Sequence, residues 1–284
     1  MDPNVNEWIT FFNEWIKLIL RWVHVFAGIM WVGTTYFFTW LDGRFVELEK
    51  QAKEGGNPEK NVWMVHSGGF YLVEKQKVPN VMPEKLHWFR WEAAITWMSG
   101  ILLFLLVFYH GRLMVMVNLD GEVARISHAG AVWLSVGLLV ISVPFYDLIM
   151  VRILKNEFIG VIVSFLVVTA LSWFLMRYFE GRAAYLQLGA MFGTIMVANV
   201  WMRILPAQRR MVAALKAGQE PNQAEALHAK NCSKHNTFLA VPVVFLMISN
   251  HFPHITYGNR HYGWLILSCL VLAGWGAVKL IRWV

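Results

Sequence analysis

Residues 15–40 read WIKLILRWVHVFAGIMWVGTTYFFTW. The stretch contains no acidic residue and no proline. At about 1.5 Å per residue, an apolar helix of this length crosses a hydrocarbon core of about 30 Å. His24 lies inside the run, roughly 10 Å from its start at Ile16 by the same rise. A titratable ring there is costly unless it is paired, ligated or facing water, so it is a functional-site candidate by position alone. Gly28, one turn on, clears space beside it.

The rest of the chain has the same character. It is 57% hydrophobic, with 15 Trp and 19 Phe, and only 15% of its residues are charged, against about 25% in soluble domains. Apolar runs recur over 16–40, 91–110, 131–151, 157–176, 183–205, 237–252 and 263–281. The expected fold is all-α, a polytopic transmembrane helix bundle of about seven spans. The 41–90 connection has room for an eighth, re-entrant element. A single integral membrane domain over residues 1–284 is expected, since no Pro/Gly/Ser linker or repeat divides the chain. The start, MDPNVNEW, lacks a basic segment and reads as no cleaved signal peptide. Cys232 and Cys269 are far apart, and no C-x-x-C-H motif is present, so any haem is non-covalent.

The net charge of +7 is best read by side. With seven spans, the connections 42–90, 152–156, 203–235 and the C-terminal end share one face. They carry eight, two, six and two Lys or Arg residues, 18 of the 25 in the chain. The positive-inside rule places that face in the cytoplasm and the N-terminus outside. Trp15, Trp40, Trp91, Trp201 and Trp264 suit an aromatic belt in the lipid bilayer. Basic residues that follow sidedness give no support to nucleic-acid binding.

Two cytoplasmic connections are long enough to be structured. The first, 41–90, opens with a charged helical pattern (DGRFVELEKQAKEGG), breaks at Gly55-Gly56-Asn57-Pro58 and continues through His66-Ser67-Gly68-Gly69 to Pro79 and Pro83. The second, 206–236, reads as an amphipathic helix from Pro206 to Ala217, a turn at Gly218 and Pro221, and a second short helix. Gly189-x-x-x-Gly193 permits close helix approach. Pro144 and Pro242 should open their helices locally.

Two polar groupings follow from this topology. Toward the outer face are His24, Gln187 and Asn250-His251. Toward the cytoplasmic face are His87, Arg90, Glu92, Asp147, Asn199, His235 and Asn236. His24, against Gly28 and Trp31, and His251 could serve as axial haem ligands; equally, His24 could hydrogen-bond a neighbouring helix. His251, His254 and His261 read as a metal clip or as solvated loop histidines. Glu92 beside Arg90 is an interfacial ion pair or a proton donor. Asn199 is a ligand group or helix glue. His66 closes over a ligand or belongs to a turn, and His110 and His128 fall at solvated edges.

Five segments carry a resemblance: LRWVHVFAGIMWVGTTYFF (20–38), HSGGFYLVEK (66–75), MPEKLHWFRWEAAITWMSG (82–100), GRAAYLQLGAMFGTIMVANVW (181–201) and KHNTFLAVPVVFLMISNHFP (234–253). In this order they resemble the N-terminal membrane domain of the bacterial membrane-bound urate oxidase (urate hydroxylase) family. The resemblance implies a helical domain of about eight spans in the bacterial inner membrane, fused to a C-terminal cytochrome c domain. It also implies oxidation of urate to 5-hydroxyisourate, with electrons passed to cytochrome c. The chain ends at Val284, so a separate cytochrome c or other acceptor is the expected partner. Position 187 is Gln where the family pattern is expected to carry His, so a ligand at that place would be lost or reassigned.

Urate is a planar anion. A site for it wants a cation, amides that pair with ring edges and an aromatic plane. Arg90, Asn199, His235 and Asn236 with Trp88 or Trp91 meet that description, and His87 or Glu92 could take the released proton. The outer group, His24 with His251 and Gln187, would hold haem b. Two other classes compete: a haem-binding electron-transfer subunit with no substrate of its own, and a transporter or structural membrane partner.

Overall fold

The computed structural model describes residues 3–55, 61–76, 79, 83–115, 125–154 and 156–282. Gly56, Asn57, Pro58, Met82 and Val284, which figure in the sequence reading, lie outside the described residues.

Seven helices are long and apolar enough to cross a membrane, as the hydropathy pattern predicts. The first, α1 (Pro3–Lys53), runs past both ends of its apolar core. The charged pattern after Trp40 continues it as helix. Next comes an antiparallel hairpin, β1 (Asn61–His66) and β2 (Gly69–Glu74). This hairpin occupies the place where an eighth, re-entrant element had room. The turn at its tip takes positive φ at Ser67 and Gly68, and His66 belongs to it, with Nδ1 2.9 Å from Ser67 Oγ. Helices α2 (Trp91–Phe104), α3 (His128–Tyr146), α4 (Glu157–Tyr178) and α5 (Gly181–Ala198) follow. Then come α6 (Leu205–Lys216), α7 (Gln223–Ile248) and α8 (Gly263–Ile281). The second short helix expected before the sixth span is instead the start of α7.

Three helices widen into π-helical turns at their ends: Leu105–His110 after α2, Asp147–Ile153 after α3 and Asn199–Ile204 between α5 and α6. Pro144 precedes the second of these and Pro206 follows the third. A proline removes one i→i−4 bond and crowds the preceding turn, and a wider turn is one way to relieve that strain.

The core gathers around α5, whose residues 183–189 are all buried. α5 packs on α3, α4 and α7, while α4 and α7 pack on α8. α1 lies at the edge, held chiefly by α2 and tied to α7 where Tyr36 Oη donates to Thr237 O at 3.2 Å. Most of its apolar side chains face outward, as lipid requires of a peripheral span. Of the Gly189/Gly193 pair, only Gly189 meets a neighbour: an added Cβ would sit 3.1 Å from Met247 Cε, whereas Gly193 faces open space.

Two helix contacts yield predictions. A Cβ at Gly274 would lie 2.9 Å from Cγ of Pro242, a rigid ring on α7. Gly274→Ala should therefore cost about 1–3 kcal/mol and lower the melting temperature in detergent, while Gly276→Ala, facing open space, should leave it unchanged. Glu180 caps α5, accepting from Ala183 N at 3.2 Å. Burial pushes its carboxyl up, against the opposing pull of the Ala183 and Arg182 amides and of the Arg182 and Arg260 charges. The folded state then holds the proton more tightly than the unfolded chain. The stability contribution is complete at low pH and declines as pH rises from about 4 through the raised value. Glu180→Gln, which keeps an acceptor, should flatten the dependence of melting temperature on pH over that window.

Candidate functional site

The ends of α3 and α5 and the middle of α7 meet in a connected polar cluster. Arg203 pairs with Asp147 and donates through Nη1 to Asn199 Oδ1 at 2.9 Å. Asn199 Nδ2 donates to Asn236 Oδ1 at 2.8 Å and to Tyr146 Oη at 3.3 Å. Asn236 Nδ2 in turn donates to Met196 O at 3.0 Å. Tyr146 Oη lies 2.6 Å from His235 Nδ1, and the Arg203 guanidinium stands 5.5 Å from the Tyr146 ring centroid.

Tyr146 Oη accepts the Asn199 amide proton and keeps a second acceptor site, so the direction of its bond with His235 Nδ1 follows the imidazole tautomer. With Tyr146 as the donor, the imidazole proton is on Nε2 and His235 is a donor to whatever faces it. Arg203 uses two of its five N–H donors in the bonds given. Its side chain is 8% exposed while that of Asp147 is 37% exposed. The pair therefore has a buried positive end and a partly exposed negative end.

Asn199, His235 and Asn236 thus come together as the sequence suggests, and Asp147 joins them. Tyr146 and Arg203 were missed. A signal for them existed: Asp147 is the only acid in the run 131–151, and Arg203 the only base in 183–205. Two lone opposite charges in neighbouring spans ask to be paired.

His87, Arg90 and Glu92 are placed elsewhere. His87 is exposed, edge-on to Phe89 at 4.5 Å. Arg90 lies 5.4 Å from the Trp91 ring, and Trp91 meets Trp201 at 5.7 Å. The start of α2 packs on Val197, Val200, Trp201 and Ile204. Asn199 and Arg203 point from the same turn toward α3 and α7. The expected cytoplasmic group is therefore split between two sides of one helix.

The outer group separates too. His24 Nδ1 is 2.8 Å from Thr96 O, and the ring lies on Gly100, where a Cβ would come within 2.8 Å of Cε1. His24 is thus level with the middle of the 91–110 span rather than its outer end, because α1 extends beyond the bundle at both ends. A carbonyl only accepts, so Nδ1 carries the proton and Nε2 keeps its lone pair. That tautomer is the one an axial or metal-ligating histidine needs. The buried amide of Gln187 is used up by α3, with Ser135 Oγ donating to Oε1 at 2.5 Å and Nε2 donating to Ser135 O at 3.2 Å. Tyr109 Oη stands 2.7 Å from the same Ser135 Oγ. His251 is exposed in a 3-10 turn after α7. Among the described residues, no group of three or more His, Cys, Asp or Glu is placed to hold a metal ion.

Fold and site together define a multi-pass helical membrane protein whose polar groups are clustered between spans. Residues 10–282 match the family model described as urate oxidase N-terminal. The chain belongs to that family and is a urate-oxidase-like membrane protein. No curated protein and no solved structure matches it.

The buried charge gives a prediction. Asp147→Asn leaves Arg203 without its counter-charge and should destabilise the protein by about 2 kcal/mol, the usual cost of 3–5 being reduced by the exposure of Asp147. In Asp147→Asn/Arg203→Met no unpaired charge remains, and the melting temperature should recover most of the loss.

Proposed function

We propose that the protein is an oxidoreductase of the cytoplasmic membrane that oxidises urate, or a planar anion closely like it, and delivers the electrons to a cytochrome c. The observation that carries this reading is the Asp147–Arg203–Asn199–Tyr146–His235 cluster inside a urate oxidase N-terminal family member. Arg203, through its remaining N–H groups, and His235, through Nε2–H, are the donors that face an anionic ring. Asn199 and Asn236 spend their amides on one another and on their neighbours, so they hold the donors in place rather than contact substrate.

Oxidation to the 5-hydroxy product adds a hydroxyl from water and releases two electrons and two protons. Asp147, the partly exposed member of the cluster, would take up a released proton. His24 would hold haem b through Nε2, and haem supplies one-electron steps when bound. The Thr96–Gly100 segment under His24 includes Trp97, which donates to Thr194 Oγ1 at 3.0 Å. Thr194 precedes Asn199 by five residues, about 7.5 Å along the helix, so the two centres lie within about two turns of each other in depth. The excess of basic residues puts the cluster in the cytoplasmic half and the N-terminus outside.

The test uses the purified protein in nanodiscs. Wild type should reduce added cytochrome c on addition of urate, and Arg203→Met should lower kcat/KM about 10- to 150-fold, the loss of one charge-assisted hydrogen bond. A reduced-minus-oxidised spectrum should show haem in wild type and lose it in His24→Ala. Absence of urate-dependent reduction in haem-loaded wild type would overturn the substrate assignment. An unchanged spectrum in His24→Ala would remove His24 from the ligand set.

A further inference from the structure

The β1–β2 hairpin is apolar on both faces, and only one face is packed. Pairing in the register Val62↔Val73, Met64↔Tyr71 and His66↔Gly69 sets one face. Val62, Met64 and Val73 of that face pack on Leu41, Phe45 and Leu48 of α1. The pairs Trp63↔Leu72 and Val65↔Phe70 set the other face. Their exposures are 59%, 51%, 70% and 80%. Four bulky apolar side chains, each more than half exposed, are a poor match to a solvated connection.

The direction of the hairpin explains them. From its base it runs back along α1 toward the bilayer. At the base, Lys75 pairs with Asp42 at 2.6 Å and stands 5.8 Å from the Phe45 ring. Further along, β1 reaches an open groove of about 540 Å³ whose walls include Phe37 and Trp40, the end of the membrane-crossing run. Trp63 and Val65 of the exposed face line the same groove, so that face is continuous with the lipid-facing surface of α1. Depth has a limit, because each strand has an unpaired edge whose N–H and C=O groups need water.

We infer that the outer face of this hairpin is seated in the interfacial layer of the bilayer, with Val65 and Phe70 at its deepest point and Trp63 at headgroup level. The connection between the first two spans is thereby a membrane-surface element, and its occupant is lipid. This inference is independent of the substrate and of haem.

Fluorophore depth measures it directly. In a Cys269→Ser background, where Cys232 is buried, NBD is attached to F70C and, separately, to E74C at the hairpin base. The parent background reports any labelling of Cys232. Each protein is placed in nanodiscs that hold one copy and carry lipids spin-labelled either at the headgroup or along the acyl chain. The F70C probe should emit to the blue of the E74C probe, should resist aqueous iodide and should lie about 5–10 Å below the headgroup boundary. The E74C probe should be quenched by iodide and not by acyl-chain labels. Equal iodide quenching at both positions would overturn the proposal. So would a blue shift at F70C that appears only with two copies per disc, because a second chain would then be the cover.

Discussion

Arg203 cannot be left alone in the interior of a membrane protein, and much of the surrounding architecture answers that requirement. A guanidinium withdrawn from water needs a counter-charge and further acceptors. Asp147 supplies the first from α3 and Asn199 Oδ1 the second from one turn back on its own helix. Asn199 then has two amide protons to place, and they fix Asn236 on α7 and Tyr146 on α3. Tyr146 Oη in turn bonds His235 Nδ1. From Arg203 through Asn199 to Tyr146, each group is oriented by the one before it.

The π-helical turns are part of the same answer. Asp147 and Asn199 each stand at the first position of one, and Arg203 lies within the second. A wider turn shifts the phase of the residues that follow it. At Asn199–Ile204 it lets one short stretch present polar groups to α3 and α7 and bulky apolar ones to α2. The third such turn, Leu105–His110, brings Tyr109 to Ser135 and so to the Gln187 pair. Among the described residues, each of the three π-helical turns has a polar contact between helices.

The spans were legible in the sequence because hydrophobic length is a local property. So was the meeting of Asn199, His235 and Asn236, because they lie at similar depth on spans that pack on each other. The side of α5 on which each neighbour would fall was not legible. Rotation of a helix about its axis is set by tertiary packing and, here, by π-turns with no reliable sequence mark. That is why His87, Arg90 and Glu92, correct in depth, are separated from the cluster by the face of Val200 and Trp201. The depth of His24 was misjudged because α1 overhangs its partner helix, a fact that hydropathy does not carry. Gln187 reads as a substituted ligand in the sequence and as an interhelical clamp in the fold.

That clamp has a mechanical meaning. Helices α3 and α5 run parallel, and they are fastened at two heights: Ser135 to Gln187, and Asp147 with Tyr146 to Arg203 and Asn199. Ser135 and Tyr146 differ by eleven positions, and their partners Gln187 and Asn199 by twelve, a separation of about 16–18 Å. Two fastenings at nearly equal spacing oppose sliding, since a slip along the helices would break both, and they oppose independent rotation for the same reason. The pair is a braced wall on one side of the cluster, against which the other helices lean.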